Sequence, residues 1–404
     1  DFQNKTRVAS GVGTNAAPGF YLEIGVIHPC FVDPWRSHRP PGPGGGWRLL
    51  PHDRQVSAQV HTAAMRLRLA GAVLLSAVIE ARSSAAVHVA DSTLGGVPTR
   101  VFEPSGGSRP KRGVIYFHGG GWALGSGRMR SYDLLCRKMA EDLDAVVMSV
   151  DYRLAPEAVF PDQYHDALAA SRAFLSAQVL QRYGVDPQRL CVSGDSAGGN
   201  LAAAVAQEVQ NKHIRDLGSL CPPALIYPVL QALDFHTPSY QQNQAVPILY
   251  RPVMARFWLQ YLGADSSLEP LLLANNHSSL DQPGISAEAR SRLDWTGLLP
   301  AERRKHFRPL VRETGSAGVV GRVPGLTDVR AAPLLAERGV LGRTPKAYVM
   351  TCEFDVLRDD GLMYGRRLQD AGVPVTSDHY EDGFHGCMVF QKVGEPAAAE
   401  ELRH

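Results

Sequence analysis

From residue 85 onward, short apolar runs alternate with longer stretches of helical periodicity. Val87-His88-Val89 and Thr99-Arg100-Val101-Phe102 alternate around Gly95-Gly96, which predicts a hairpin at a sheet edge. The compact apolar runs Lys111–Phe117, Ala145–Val150, 190–193 and 224–230 predict strands. The segments between them, Arg130–Leu143, 164–183 and Ala197–Asn211, predict helices. This spacing implies right-handed βαβ units and a mostly parallel sheet, an α/β fold. The alternation stops at Gln231 and resumes at Pro345, with a strand over 346–351, a helix over 361–371 and a last strand over 376–380.

That interruption sets the expected domain organisation. Residues 85–230 and 345–404 form one α/β domain. Residues 231–344 lack strand periodicity, carry helical patches such as 253–261 (VMARFWLQY), and read as a largely helical cap on the side where ligands bind. Residues 1–84 form a poorly defined N-terminal segment. Within it Arg39 to Trp47 (RPPGPGGGW) is linker-like, because proline and glycine runs bury little and resist regular structure.

Composition narrows the function classes. In 404 residues, 44% hydrophobic and 20% charged content suits a globular protein with a sizeable core. A formal net charge of +2 and the lack of a long basic run give no case for nucleic acid. The 6 cysteines show no CxxC spacing, so they indicate neither a disulfide framework nor zinc. There is no HExxH, no GxxxxGK[ST] and no complete GxGxxG, and no cofactor or metal is expected. The apolar run 70–79 is shorter than the ~20 residues a bilayer span needs and reads as a buried or interfacial helix. Sequons occur at Asn4 and Asn276.

The chemistry centres on residues 189–205, RLCVSGDSAGGNLAAAV. Here Gly194-Asp195-Ser196-Ala197-Gly198 sits between an apolar strand and an Ala-rich helix, the context in which G-x-S-x-G presents a nucleophile. The helix aims its positive end and free amides at the serine. Upstream, His118-Gly119-Gly120-Gly121-Trp122 follows a strand directly. Its glycines let backbone amides approach a ligand, so Gly119, Gly120, Gly121 and Ala197 are the expected oxyanion donors. Asp355 lies where the 346–351 strand ends and is the expected acid, with Asp359 and Asp360 opening the next helix as N-terminal acids. His385 follows on a glycine-flanked loop, completing the chain order Ser, Asp, His. His379 is its nearby rival, inside a strand. In this scheme His385 takes the Ser196 proton and Asp355 holds the imidazole tautomer.

HGGGW at His118, DYRLAPE at Asp151, GDSAGGN at Gly194 and DGFHG at Asp382 together resemble the hormone-sensitive-lipase branch of the α/β-hydrolases. Outside those shared motifs, SYQQN at Ser239, NNHSSLD at Asn275, RLDWTGLLP at Arg292 and DVLRDDG at Asp355 resemble one group of that branch. It is the group of vertebrate neutral cholesterol ester hydrolases and arylacetamide deacetylases, the former more closely. The resemblance covers about residues 85 to 390. It implies an α/β-hydrolase fold and a serine esterase acting on lipid esters such as cholesteryl esters or acetylated ether glycerolipids. It also implies His118, Asp195 and Asp151 as motif support, a glycan on Asn276, and an endoplasmic reticulum membrane setting with a lumenal catalytic domain. The family's N-terminal apolar anchor is not evident in residues 1–60, and Ala123 stands where the deacetylases have the cysteine that would pair with Cys352. Two other readings remain: an esterase or amidase for small aryl substrates, and a non-catalytic ligand-binding homologue.

Overall fold

The computed structural model describes residues 7–8, 78–107, 109–211, 222–246, 248–316 and 318–390. The linker-like stretch at Arg39, the sequon at Asn4 and most of the apolar run 70–79 lie outside them. The described strands are β1 (Arg7–Val8), β2 (Val87–Leu94), β3 (Val97–Pro104), β4 (Lys111–Phe117), β5 (Ala145–Val150), β6 (Val185–Asp195), β7 (Pro223–Ile226), β8 (Ala347–Phe354) and β9 (Val375–Phe384). They form one sheet in the order β1-β9-β8-β7-β6-β4-β5-β3-β2. All neighbours from β1 to β5 pair parallel, and the β2–β3 hairpin closes the other edge antiparallel.

Side-chain alternation explains why the sheet is covered on both faces. Along β4, Val114 and Tyr116 point to one core and Ile115 and Phe117 to the other. On the first face lies α1 (Arg130–Leu143), contributing Tyr132, Leu135, Cys136 and Ala140. On the second lie α2 (Asp162–Phe174), α4 (Ala197–Asn211) and α6 (Arg358–Asp370). Every residue of β5 is buried, as expected of a strand sandwiched between helical layers. Edge strand β2 instead alternates buried with exposed positions over its first residues.

Several predicted elements differ in extent: β8, α6 and β9 begin or end a few residues away from the expected 346–351, 361–371 and 376–380. The helix expected over 164–183 is two, α2 and α3 (Ala177–Tyr183). The break falls at Ser176, whose extended backbone and hydroxyl cap the Val179 N–H, while hydrophobic periodicity runs on across it. The strand over 190–193 extends to Val185–Asp195, with a register irregularity opposite Lys111 and Gly113. The strand over 224–230 ends at Ile226, because Tyr227 adopts φ 33° and turns the chain away from β7.

Between β7 and β8 the chain forms short helices, the longest being α5 (Arg251–Tyr261). The acids at the start of α6 tie this insertion to the α/β core. Asp360 accepts from Leu230 N (2.9 Å) and Gln231 Nε2 (3.0 Å), and Asp359 accepts from Ser239 N (2.6 Å). At the far end, Asn200 Nδ2 donates to Ala331 O (2.7 Å) and Gln207 Nε2 to Pro333 O (3.0 Å). Asp359 and Asp360 do lie in the first helical turn, but both are completely buried and anchor the chain where it leaves the sheet.

Burial, reinforced by the neighbouring Asp359 charge, outweighs these hydrogen bonds and pushes the Asp360 carboxyl up to about 7. A carboxyl raised above its unfolded value binds its proton more tightly in the native state. Its contribution to stability is therefore complete below about pH 4 and is lost as pH rises through about 7. Comparing melting curves of wild type and Asp360→Asn across this range should give a stability difference that changes by about 1.4 kcal/mol per pH unit inside the window. A difference independent of pH would contradict this assignment.

Candidate active site

Ser196 stands alone between β6, which ends at Asp195, and α4, which begins at Ala197. Its φ of 55° is left-handed, a strained conformation for a residue with a side chain. The flanking glycines make this turn possible for a steric reason. A Cβ on Gly198 would lie 2.0 Å from the Phe117 carbonyl oxygen, and one on Gly194 would lie 2.4 Å from the Gly198 backbone. The helix start, β6 and the end of β4 thus converge with no room for a methyl group. The Ser196 N–H donates to Ile226 O (2.9 Å), and its carbonyl receives the Asn200 N–H (3.1 Å).

Two further elements converge on this turn. Asp355 follows β8 directly and is fully buried, with Oδ1 accepting from Leu357 N at 2.8 Å. Asn243 Nδ2, from the insertion, donates to the Asp355 carbonyl at 2.9 Å. His385 follows β9 and places Nδ1 2.9 Å from Asp355 Oδ2 and Nε2 2.9 Å from Ser196 Oγ. With the carboxylate ionised, Nδ1 carries the hydrogen and Nε2 is left to accept from the serine hydroxyl. Tyr227 packs against the imidazole, ring centroids 4.9 Å apart. The rival His379 lies in β9 with other partners, Thr351 Oγ1 (2.9 Å) and Glu353 Oε2 (3.1 Å), and makes no contact with Ser196.

The glycine loop after β4 is held by Asp195, expected above as motif support, together with tyrosines that sequence reasoning did not single out. Asp195 is buried, and its carboxylate accepts from Tyr116 OH (2.8 Å), Tyr132 OH (3.2 Å) and Gly119 N (2.9 Å). Burial pushes this carboxyl up, with the tyrosine and amide hydrogen bonds opposing it. The Gly119 N–H is therefore committed to protein, so the amides left to meet a ligand are those of Gly120, Gly121 and Ala197. Gly120 (φ 110°) and Gly121 (φ 62°) both need left-handed backbone.

His118 is fully buried and stacks on Tyr152 at 4.4 Å. Burial lowers its basicity, and Nδ1–H donates to Gly119 O (2.7 Å). The Tyr152 hydroxyl donates to His118 O (2.7 Å), and Asp151 accepts from Gly127 N (2.6 Å). These contacts join the HGGGW and DYRLAPE motifs into one unit. Tyr152 lies within the DYRLAPE motif, whereas Tyr116 and Tyr132 gave no motif signal. Tyr116 is visible only as an inward position of a buried strand.

Two other expectations meet specific surroundings. Cys352 has a neighbour not anticipated from sequence: Cys387 Sγ lies 3.7 Å from its sulfur, both thiols free and buried. Asn276 is half-buried in a 3₁₀ turn, Asn276–Ser278. Among the described residues no group of three or more His, Cys, Asp or Glu is arranged to hold a metal ion, and no helix is long and apolar enough to cross a membrane.

Comparison with known proteins follows the same outline. A family described as alpha/beta hydrolase fold matches residues 114–285 and 312–389. Neutral cholesterol ester hydrolase 1 of Pongo abelii is 53% identical over 311 residues, 76% of each chain. The Mus musculus protein of that name is 48% identical over 361 residues, 85% of this chain and 86% of its own. Arylacetamide deacetylase of Oryctolagus cuniculus is 42% identical over 354 residues, 85% of this chain and 87% of its own. Among solved structures, a thermostable esterase from Pseudomonas putida superposes with a TM-score of 0.58 at 26% identity, covering 96% of this chain and 95% of that one. An esterase of Pyrobaculum calidifontis gives 0.56 at 28% identity, covering 85% and 92%. By sequence and by fold, this chain belongs to the α/β-hydrolase family that holds the neutral cholesterol ester hydrolases and arylacetamide deacetylases, and it is a carboxylic ester hydrolase.

Proposed function

We propose that this protein hydrolyses lipid esters through an acyl-enzyme on Ser196. The observation that carries the reading is the unbroken path from Ser196 Oγ through His385 to Asp355, 2.9 Å at each step. His385 Nε2 takes the serine proton as Oγ attacks the ester carbonyl. Asp355 keeps the imidazole in the required tautomer and stabilises the imidazolium. The tetrahedral oxyanion accepts from the amides of Gly120, Gly121 and Ala197, aided by the positive end of α4. Collapse expels the alcohol, protonated by His385. A water deprotonated by the same histidine then releases the acid.

The lipid-ester preference rests on the higher identity to proteins named neutral cholesterol ester hydrolase than to those named arylacetamide deacetylase. Cholesteryl esters and acetylated ether glycerolipids are the substrates this favours, with the insertion 231–344 acting as a cap over the site. A membrane-surface setting at the endoplasmic reticulum, with the catalytic domain lumenal and a glycan on Asn276, belongs to the same reading. The second reading, small aryl esters and amides, keeps the same chemistry and differs only in the pocket.

A fluorophosphonate probe should label wild type at Ser196 and fail to label Ser196→Ala or folded His385→Ala. A folded wild type that resists the probe would contradict the mechanism. Activity against esters of increasing acyl length, with an aryl acetate alongside, should favour the longer lipid esters. A preference for the aryl acetate would select the second reading.

Asp195→Asn leaves the turn its size but removes the charge that gathers the Gly119 amide and two tyrosines. It should lower kcat by roughly 10- to 100-fold with a smaller effect on KM. An unchanged kcat in steady-state kinetics would show that the loop holds its shape without that carboxylate.

A further inference from the structure

Helix α5 of the insertion lies directly along the glycine loop, and the contacts follow one row of its surface. Tyr261 stacks on Trp122 with ring centroids 4.1 Å apart and planes 6° from parallel, and Trp258 lies 4.8 Å from the same indole. One turn back, Phe257 covers Gly121 so closely that a Cβ on that glycine would sit 2.4 Å from its ring. Residues 253, 257 and 261 are four apart, so they share one helix face. Trp122, Trp258 and Tyr261 are completely buried, whereas Phe257 and Val253 are only half-buried. The row therefore begins in the core, passes over the loop at Phe257, and continues at Val253 with apolar surface still open.

Gly121 is one of the three residues whose amides remain for an oxyanion. An ester carbonyl seated there would bring its substituents beside the free edge of the Phe257 ring. We propose that Phe257 is a specificity-determining residue of the ester site: its ring is the wall that meets the acyl chain next to the oxyanion loop, and Val253 extends that wall by one helical turn. The ligand class is an ester whose acyl part is an unbranched hydrocarbon chain. A ring fixed against the loop restricts width near the carbonyl and rewards chains long enough to lie along the row. This inference rests on the proposed esterase reading and adds the surface that selects the substrate.

The test is the ratio of kcat/KM values across p-nitrophenyl esters from acetate to decanoate, measured for wild type, Phe257→Ala and Phe257→Leu. Active enzyme is counted by fluorophosphonate labelling. Phe257→Ala should change the decanoate-to-acetate ratio at least tenfold, and Phe257→Leu should change it severalfold in the same direction, with labelling of Ser196 retained. Both variants scaling every ester by one common factor would overturn the proposal, because a merely structural ring would lower all substrates alike. Should Phe257→Ala fail to fold, the milder Phe257→Leu decides alone, and an unchanged ratio overturns the proposal. Absence of labelling or hydrolysis in wild type would instead overturn the esterase reading beneath it, so the two failures are distinguishable.

Discussion

The Asp195 carboxylate lies in the protein interior and draws Tyr116 from β4, Tyr132 from α1 and the Gly119 amide from the glycine loop onto one residue beside Ser196. A buried carboxylate is costly unless donors surround it, so its three partners are under strong obligation to stay where they are. Because Asp195 also precedes the nucleophile, the same network fixes the loop and the serine relative to one another. A second layer secures the loop from its other side, where His118 and Tyr152 hydrogen-bond its backbone. Electrostatic preorganisation requires donors that do not move when charge develops, and in the proposed mechanism this double fastening would provide it.

The insertion is bound to this centre rather than simply laid over it. Asn243 reaches the Asp355 carbonyl, and Asp359 and Asp360 hold the chain where it departs from β7. Trp122, the residue after the glycines, packs against two α5 aromatics, stacked on Tyr261 and tilted against Trp258. In the proposed mechanism, catalytic positioning and substrate selection share a boundary at Gly121 and Trp122. A displacement of α5 would be felt by the very backbone that is to bind the oxyanion.

Much of the parallel sheet was legible because buried strands and amphipathic helices differ in period, and each motif fell at a strand end as the alternation required. Ser196, Asp355 and His385 could be chosen from chain order, and the structure brings them together. What escaped was set by long-range contact. Tyr116 and Tyr132 look like ordinary core residues, and Tyr152 is only one letter of the DYRLAPE motif, until the fold delivers their hydroxyls to the loop. Gly119 read as equal to its neighbours, and only the position of Asp195 shows its amide to be engaged. The break at Ser176 and the end of β7 at Tyr227 were missed because backbone dihedrals, not hydrophobicity, decide them. Cys387 came beside Cys352 only through the pairing of β8 with β9.

The most direct test of the account is a crystal structure of the enzyme phosphonylated by an ester-like alkyl phosphonate, which leaves a tetrahedral adduct on the nucleophile. Phosphorus should be bonded to Ser196 Oγ. The phosphonyl oxygen should lie within hydrogen-bond distance of the Gly120, Gly121 and Ala197 amides, with the Gly119 N–H still on Asp195. An adduct elsewhere, or an oxygen held by Gly119 with Asp195 released, would contradict it.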